Sequence, residues 1–438
     1  MLFRKGTLRL QQEVLSPHRT ASWPGRLEWT HDKPHRRDTV DPLPAQSRHM
    51  FGGTVQSGGF VPHGASPRGG LAAVGRASAV GLVLVGAVVL SLGSDRVAAA
   101  ATAETMSSRF TAPTVRQLVG QRFMVTMRGT SPSPALLDRI RRGEIGGVIL
   151  FGANVQSATQ LRHLTSTLQR AARDARRPPL LNATDQEGGL VRRLPWVGPA
   201  QSTSELGRMG AARIRDEAIA SGKALRLAGV NLDLGPVADV PAAGSFMALE
   251  QRTFASSAPS VAAATVAFTR GLAKAGVAAA VKHFPGIGRA TRNTDRSAVA
   301  ITATQADLGR RDLLPFRSAI GAGVPVVMIS NASYPALDAK PAPWSTKIQS
   351  LLRRELGFDG VTISDALDGA AATRGRSLSS VAVLVAPAGV DVLLLTGSEA
   401  SSAAAFERVV AVAEQGRISA KALGASYNRI VALKRAYG

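Results

Sequence analysis

The sequence predicts an α/β fold: a single (β/α)8 TIM-type barrel, preceded by a disordered N-terminal stretch and a signal or anchor segment. Three observations carry this expectation. Short β-branched apolar runs recur from residue 111 onward, alanine- and arginine-rich helical stretches separate them, and the runs number eight. Strands buried on both faces of a parallel sheet read as continuous apolar runs rather than alternating ones, and helical crossovers between such strands build barrels or doubly wound sheets.

The predicted strands are 123–127, 147–150, 180–184, 230–234, 278–283, 325–330, 360–364 and 391–395. Helical patterns occupy 158–175, 204–228, 261–275, 305–322, 348–355 and 401–415, and a last helix spans 420–437. Strand order is not legible in a sequence, so an open doubly wound sheet is the competing architecture. No dinucleotide fingerprint opens any of these helices; Gly286-Ile287-Gly288 lacks both a third glycine and a following helix.

Ahead of this region the chain divides in two. Residues 1–70 mix Arg, Pro, Gly, His and Ser without periodicity, which reads as a disordered or misassigned leader. Within 71–104, an apolar run over 79–92 follows Arg68 and Arg76, and the small residues 97–103 come after it. A positive flank, a short apolar core and an A-x-A-like end describe a signal peptide, with an uncleaved membrane anchor as the alternative. Either places the rest of the chain, 111–438, outside: extracellular or associated with the cell envelope.

The formal charge is +23, and the chain has no cysteine. The charge raises attraction to any polyanion, including acidic wall polymers, but its even scatter fits an arginine-rich composition as well as a specific role. Without cysteine, thiol catalysis, thiolate metal sites and disulfides are excluded. No pair of histidines has the spacing of metal ligands.

In a barrel, strand ends and the loops after them make the active site. Asp185, Asp239, the pair Lys282 and His283, Asn331 and Asp365 all stand at predicted strand ends and are expected to line one cup. Glycines beside Asp185 and Lys282 are expected to let a ligand approach the backbone. Asp368 fits the ordinary part of a helix cap or loop acceptor. His283, ending a buried strand, reads as a fixed hydrogen-bonding residue, with a proton shuttle as the other option.

These motifs carry a resemblance. Asp185-Gln186-Glu187-Gly188-Gly189 with Arg193, Arg252-Thr253-Phe254, Lys282-His283-Phe284-Pro285-Gly286, and Glu355-Leu356-Gly357-Phe358-Asp359-Gly360 leading into Ser364-Asp365 resemble glycoside hydrolase family 3, of the bacterial β-N-acetylglucosaminidase (β-hexosaminidase) type. The resemblance covers 111–438. It implies a retaining exo-enzyme that removes terminal N-acetylglucosamine from peptidoglycan fragments through a covalent glycosyl-aspartate. Asp365 matches the nucleophile, and Asp185, Arg193, Arg252, Lys282 and His283 match positions that hold the sugar. It implies no cofactor and no metal, a glycan rather than nucleic acid as partner, a membrane contact only through the N-terminal segment, and a monomer.

One position departs from the pattern. These enzymes carry Asp-x-His after Lys-His-Phe-Pro-Gly, with histidine as acid/base; here Asp295 is kept and Ser297 replaces the histidine. Serine cannot protonate a leaving group at neutral pH, so Asp295 takes over, another group enters from a mobile loop, or activity is weak. A weakened relative that binds wall sugars, and a β-glucosidase, stand as alternative functions.

Overall fold

The structure is a computed structural model and describes residues 112–438. The leader expected over 1–70 and the signal or anchor expected over 71–104 lie outside the described residues. Among the described residues, no helix is long and apolar enough to cross a membrane.

Eight strands form one parallel sheet: β1 (Phe123–Thr126), β2 (Gly147–Leu150), β3 (Leu181–Thr184), β4 (Leu232–Asp233), β5 (Ala278–Phe284), β6 (Val326–Ile329), β7 (Val361–Ser364) and β8 (Leu393–Leu395). Their spatial order is β7-β6-β5-β4-β3-β2-β1-β8. The two ends of that row meet through a parallel bridge between Ile363 and Val392 and two 2.9 Å backbone bonds, Ser364 N to Val392 O and Val392 N to Thr362 O. The sheet is therefore a nearly closed barrel, not an open doubly wound layer.

Alternation with period two explains how so apolar a set of strands packs on both sides. One set, including Met124, Ile149, Ala183, Ala280, Met328 and Leu394, fills the barrel interior. The other, including Val125, Val148, Val281, Val327 and Leu393, packs beneath the helices. The lower mouth is plugged by the last helix, Ala420–Tyr437, whose Ile430 and Leu433 join the interior cluster. On that helix Lys434 is buried with one partner, Gln121 Oε1 at 2.6 Å, and burial pulls its ammonium down to about 7.

Serine caps start most of the longer helices, as Ser157, Ser257, Ser398 and Ser419 do for Ala158–Asp174, Ala258–Lys274, Glu399–Glu414 and Ala420–Tyr437. Each cap satisfies a free N–H of the first turn. The helix expected over 204–228 is instead two, Thr203–Arg208 and Gly210–Leu227, because Gly210 turns the chain at φ +84°. Two helices not anticipated, Pro134–Arg142 and Leu378–Val385, complete the crossovers after β1 and β7.

Just before β8, Asp391 clamps the closure. Its carboxylate accepts from Arg353, from both Nε and Nη2 of Arg429, and from Thr362 N at 2.9 Å. Burial would raise this carboxyl, but the hydrogen-bonded Arg429 and the nearby Arg353 hold it below the usual range.

Candidate active site

The upper mouth of the barrel opens into a cavity of about 570 Å³. All seven expected site residues, Asp185, Arg193, Arg252, Lys282, His283, Asp295 and Asp365, line it. They come from five places: the turn after β3, the loop after β4, the end of β5, the loop at 286–297 and the end of β7. Strand ends of a barrel converge on one point, so residues far apart in sequence become neighbours there.

Two of the expected cup residues stand behind the lining. Asp239 and Asn331 are fully buried and do not face the cavity. Asn331 donates from Nδ2 to Ala366 O at 2.7 Å, and so braces the residue that follows Asp365. The glycines also serve a different purpose from the one expected. A side chain at Gly188 would strike Gln201 O at 2.4 Å, and one at Gly286 would meet Asp312 Cβ at 3.1 Å. Both also have positive φ, +106° and +123°. The space they free is taken by the protein itself, not left to a ligand.

One flank of the cavity is an ion-pair network. Lys282 Nζ lies 2.7 Å from Asp185 Oδ1 and 2.6 Å from Glu187 Oε1. Arg252 grips Glu187 with both Nε and Nη2 at 2.9 Å, and reaches Glu250 at 3.3 Å. Burial alone would raise the Glu187 carboxyl, yet Arg252 and Lys282 outweigh it and hold the group well below the ordinary carboxylate range. Burial likewise disfavours the charged Lys282, but Asp185 and Glu187 keep its ammonium above the usual value. Glu187, Lys282 and Arg252 therefore stay ionised throughout the neutral range. Beneath this network, burial pushes the Asp233 carboxyl well above the usual carboxylate value, against the hydrogen bond it accepts from Gln186 N.

The opposite flank carries the carboxylates. Asp365 sits at the end of β7, its Oδ1 accepting from Ala366 N at 2.8 Å. Burial pushes it up to about 6, against the pull of His283 and with a further push from the charge of Asp295. Asp295 itself is exposed. Its loop docks on the segment after β7, where Ala370 N donates to Asp295 O at 2.9 Å and Ala371 N to Thr294 O at 3.1 Å. Ser297 lies outside the cavity lining. Asp368 is a loop acceptor, holding Thr396 N at 2.8 Å on the cavity wall.

His283 presents its ring to the cavity from β5, with Nδ1 2.7 Å from Asp239 Oδ2. Arg193 stacks over Phe151 at 5.8 Å and leaves its Nε without a protein partner. Glu187 was not singled out as a site residue, Asp239 was expected in the lining rather than behind it, and Glu250 was not expected to line the cavity. The spacing of Glu187, two residues after Asp185, is the signal that could have found it, because period two keeps such residues on one side. Arginine, lysine and carboxylate side chains around a small cavity suit a polyhydroxylated ligand, since they donate to and accept from several hydroxyls at once. Among the described residues, no three of His, Asp or Glu group to hold a metal ion.

The model of the glycosyl hydrolase family 3 N-terminal domain matches residues 114–433. An uncharacterized secreted glycosyl hydrolase of Arthroderma benhamiae is 35% identical over 327 residues, covering 72% of this chain and 92% of that protein. Beta-hexosaminidase A of Pseudoalteromonas piscicida is 32% identical over 367 residues, covering 73% of this chain and 61% of that longer protein. The crystal structure of beta-N-acetylhexosaminidase from Beutenbergia cavernae superposes with a TM-score of 0.69 at 33% identity, over 74% of this chain and 100% of that one. A family model that spans nearly all the described residues, and a relative matched along 92% of its length, establish that this chain is a glycoside hydrolase and belongs to glycosyl hydrolase family 3.

Proposed function

We propose that the chain is a retaining exo-β-N-acetylglucosaminidase acting on terminal N-acetylglucosamine of peptidoglycan fragments, through a covalent glycosyl-aspartate. The observation that carries this reading is the position of Asp365. It is a carboxylate at the cavity wall, ionised above a pKa of about 6, facing hydroxyl-binding groups on the opposite flank. Relatives that are β-hexosaminidases support the hexosamine.

In this reading Asp185, Arg193, Arg252, Lys282 and His283 hold the sugar. Asp365 attacks C1; the bond from C1 to the glycosidic oxygen breaks, and Asp295 gives that oxygen its proton. Asp295 then takes a proton from water, whose oxygen displaces Asp365 from C1 and restores both carboxyl groups. The placement of Asp295, exposed on a loop that reaches the cavity wall, suits an acid that must meet a leaving group of variable structure.

Residues 111–438 act in this proposal as a monomeric barrel domain, exported by the segment at 71–104 to the cell envelope or beyond it. The apolar run over 79–92 and the likeness to a secreted relative support export. A net charge of +23 suits an acidic wall polymer. A weakened, sugar-binding protein is the second reading, favoured by Ser297 standing outside the cavity lining where a histidine acid is missing.

The test is hydrolysis of a chromogenic N-acetyl-β-glucosaminide, with the first-formed anomer followed by proton NMR. Release of the β-anomer, lost in Asp365→Asn, is the expected result. Binding of N-acetylglucosamine without turnover of even an activated aryl substrate supports the second reading, and a first-formed α-anomer overturns the covalent mechanism.

A further inference from the structure

We infer that Asp239 is a positioning residue that sets which nitrogen of His283 enters the cavity and anchors the loop carrying Asp295; this rests on the glycosidase reading above. Asp239 has no exposed surface and touches no ligand space. Its two oxygens do different work. Oδ2 faces His283 Nδ1 at 2.7 Å, and Oδ1 accepts the N–H of Ile287 at 2.7 Å, with His283 N at 3.5 Å on the same side. Ile287 is the second residue of the loop at 286–297 and is itself buried.

A carboxylate only accepts, so the ring proton of neutral His283 is held on Nδ1 and Nε2 is left as an acceptor toward the cavity. This matters because the cationic groups of the lining, Arg193, Arg252, Lys282 and Arg296, only donate. A sugar hydroxyl that accepts from one of them has its own proton to place. Nε2 of His283 takes that proton's hydrogen bond without adding another negative charge beside Asp365. The same carboxylate fixes the base of the loop, so sugar recognition and the approach of Asp295 share one anchor.

Asp239→Asn separates the two effects. The backbone N–H groups of Ile287 and His283 keep the amide oxygen on their side, so the amide nitrogen turns to the ring and donates. His283 must then carry its proton on Nε2, and the cavity meets a donor in place of an acceptor. Asp239→Ala removes the loop anchor as well.

The experiment is ¹⁵N NMR of the full chain labelled at its 7 histidines, at about pH 8 where an ordinary imidazole is neutral, with His283→Gln assigning the signal. The expected ring is protonated on Nδ1 in the wild type and on Nε2 in Asp239→Asn. With the aryl substrate, Asp239→Asn raises KM about tenfold or more with kcat less affected, as loss of one hydroxyl contact predicts. Asp239→Ala also lowers kcat. A wild-type ring protonated on Nε2, or on both nitrogens, overturns the inference even if neither variant folds. So does an Asp239→Asn ring still protonated on Nδ1, or an unchanged KM. A wild type that turns over no N-acetylglucosaminide sinks the functional reading instead and leaves the ring measurement to stand by itself.

Discussion

Replacing Glu187 by glutamine removes one negative charge from the centre of the cavity flank and almost no volume. The glutamate side chain is 1% exposed and holds Lys282 at 2.6 Å and Arg252 at 2.9 Å. Removing one partner of a buried ion pair costs about 3–5 kcal/mol, because the remaining charge stays desolvated. Here Lys282 keeps Asp185 and Arg252 keeps Glu250, which places the loss at the lower end, about 3 kcal/mol. Unfolding entropy for a body of this size is about 0.7 kcal/mol/K, so the melting temperature should fall about 4 °C at pH 7.

The pH dependence has a defined sign. Glu187 is held below its ordinary value of 4.5, so its stabilisation is complete above that pH and declines as pH falls below it, when the unfolded chain takes up protons first. The gap in melting temperature between wild type and Glu187→Gln should therefore narrow below pH 4.5. Calorimetric melts across that range, with kcat/KM measured beside them, test the argument. An unchanged melting temperature together with unchanged kcat/KM would refute the claim that Glu187 organises the two cations.

Three further outcomes follow from the site and the barrel floor. Asp365→Asn should abolish turnover, by about 10³-fold or more in kcat, while N-acetylglucosamine still binds in calorimetry. A folded variant with near wild-type kcat would remove Asp365 from the mechanism. The acid limb of kcat/KM should fall near pH 6, where Asp365 protonates. Asp295→Asn should move this limb to lower pH, because it deletes a charge that raises Asp365, and should slow poor leaving groups by about 10²–10⁴-fold. A limb that stays put or rises contradicts the coupling. Lys434→Met should stabilise the fold at pH 7: the wild-type lysine is held down to about 7, so its penalty is full below that pH and fades as pH rises toward 10.5. Equal melting temperatures at pH 7, or a gap that widens above it, would show that the buried ammonium is better solvated than its surroundings indicate.

Much of the architecture is legible because parallel strands buried on both faces leave an unbroken apolar signature, as 147–150 and 326–329 do. Candidate site residues are legible for the related reason that polar side chains interrupt those runs at the strand ends, as Asp185, Lys282 and Asp365 do. What is hidden depends on contacts between distant segments. Nothing in the neighbourhood of Asp239 reveals that His283, far along the chain, supplies its partner. Nor does Glu187 announce that two cations converge on it from Arg252 and Lys282. The helix Leu378–Val385 is rich in valine, a residue that favours strands, yet Ser377 caps it and it packs as a helix against the helix Glu399–Glu414. There tertiary packing overrides local preference.

The barrel seam makes the first strand wait for the last. β1 lies between β2 and β8, and β8 is held in place by Asp391 and by the helix that ends at Tyr437. During synthesis, a chain that has emerged only as far as residue 390 has two bare strand edges and an uncovered oily floor, and so no way to complete its ring. Such long-range closure folds slowly, and exposed edges invite partners. Truncation at 390 should therefore yield protein without a cooperative melt, and a sharp transition in that fragment would show the ring to be less dependent on its final piece.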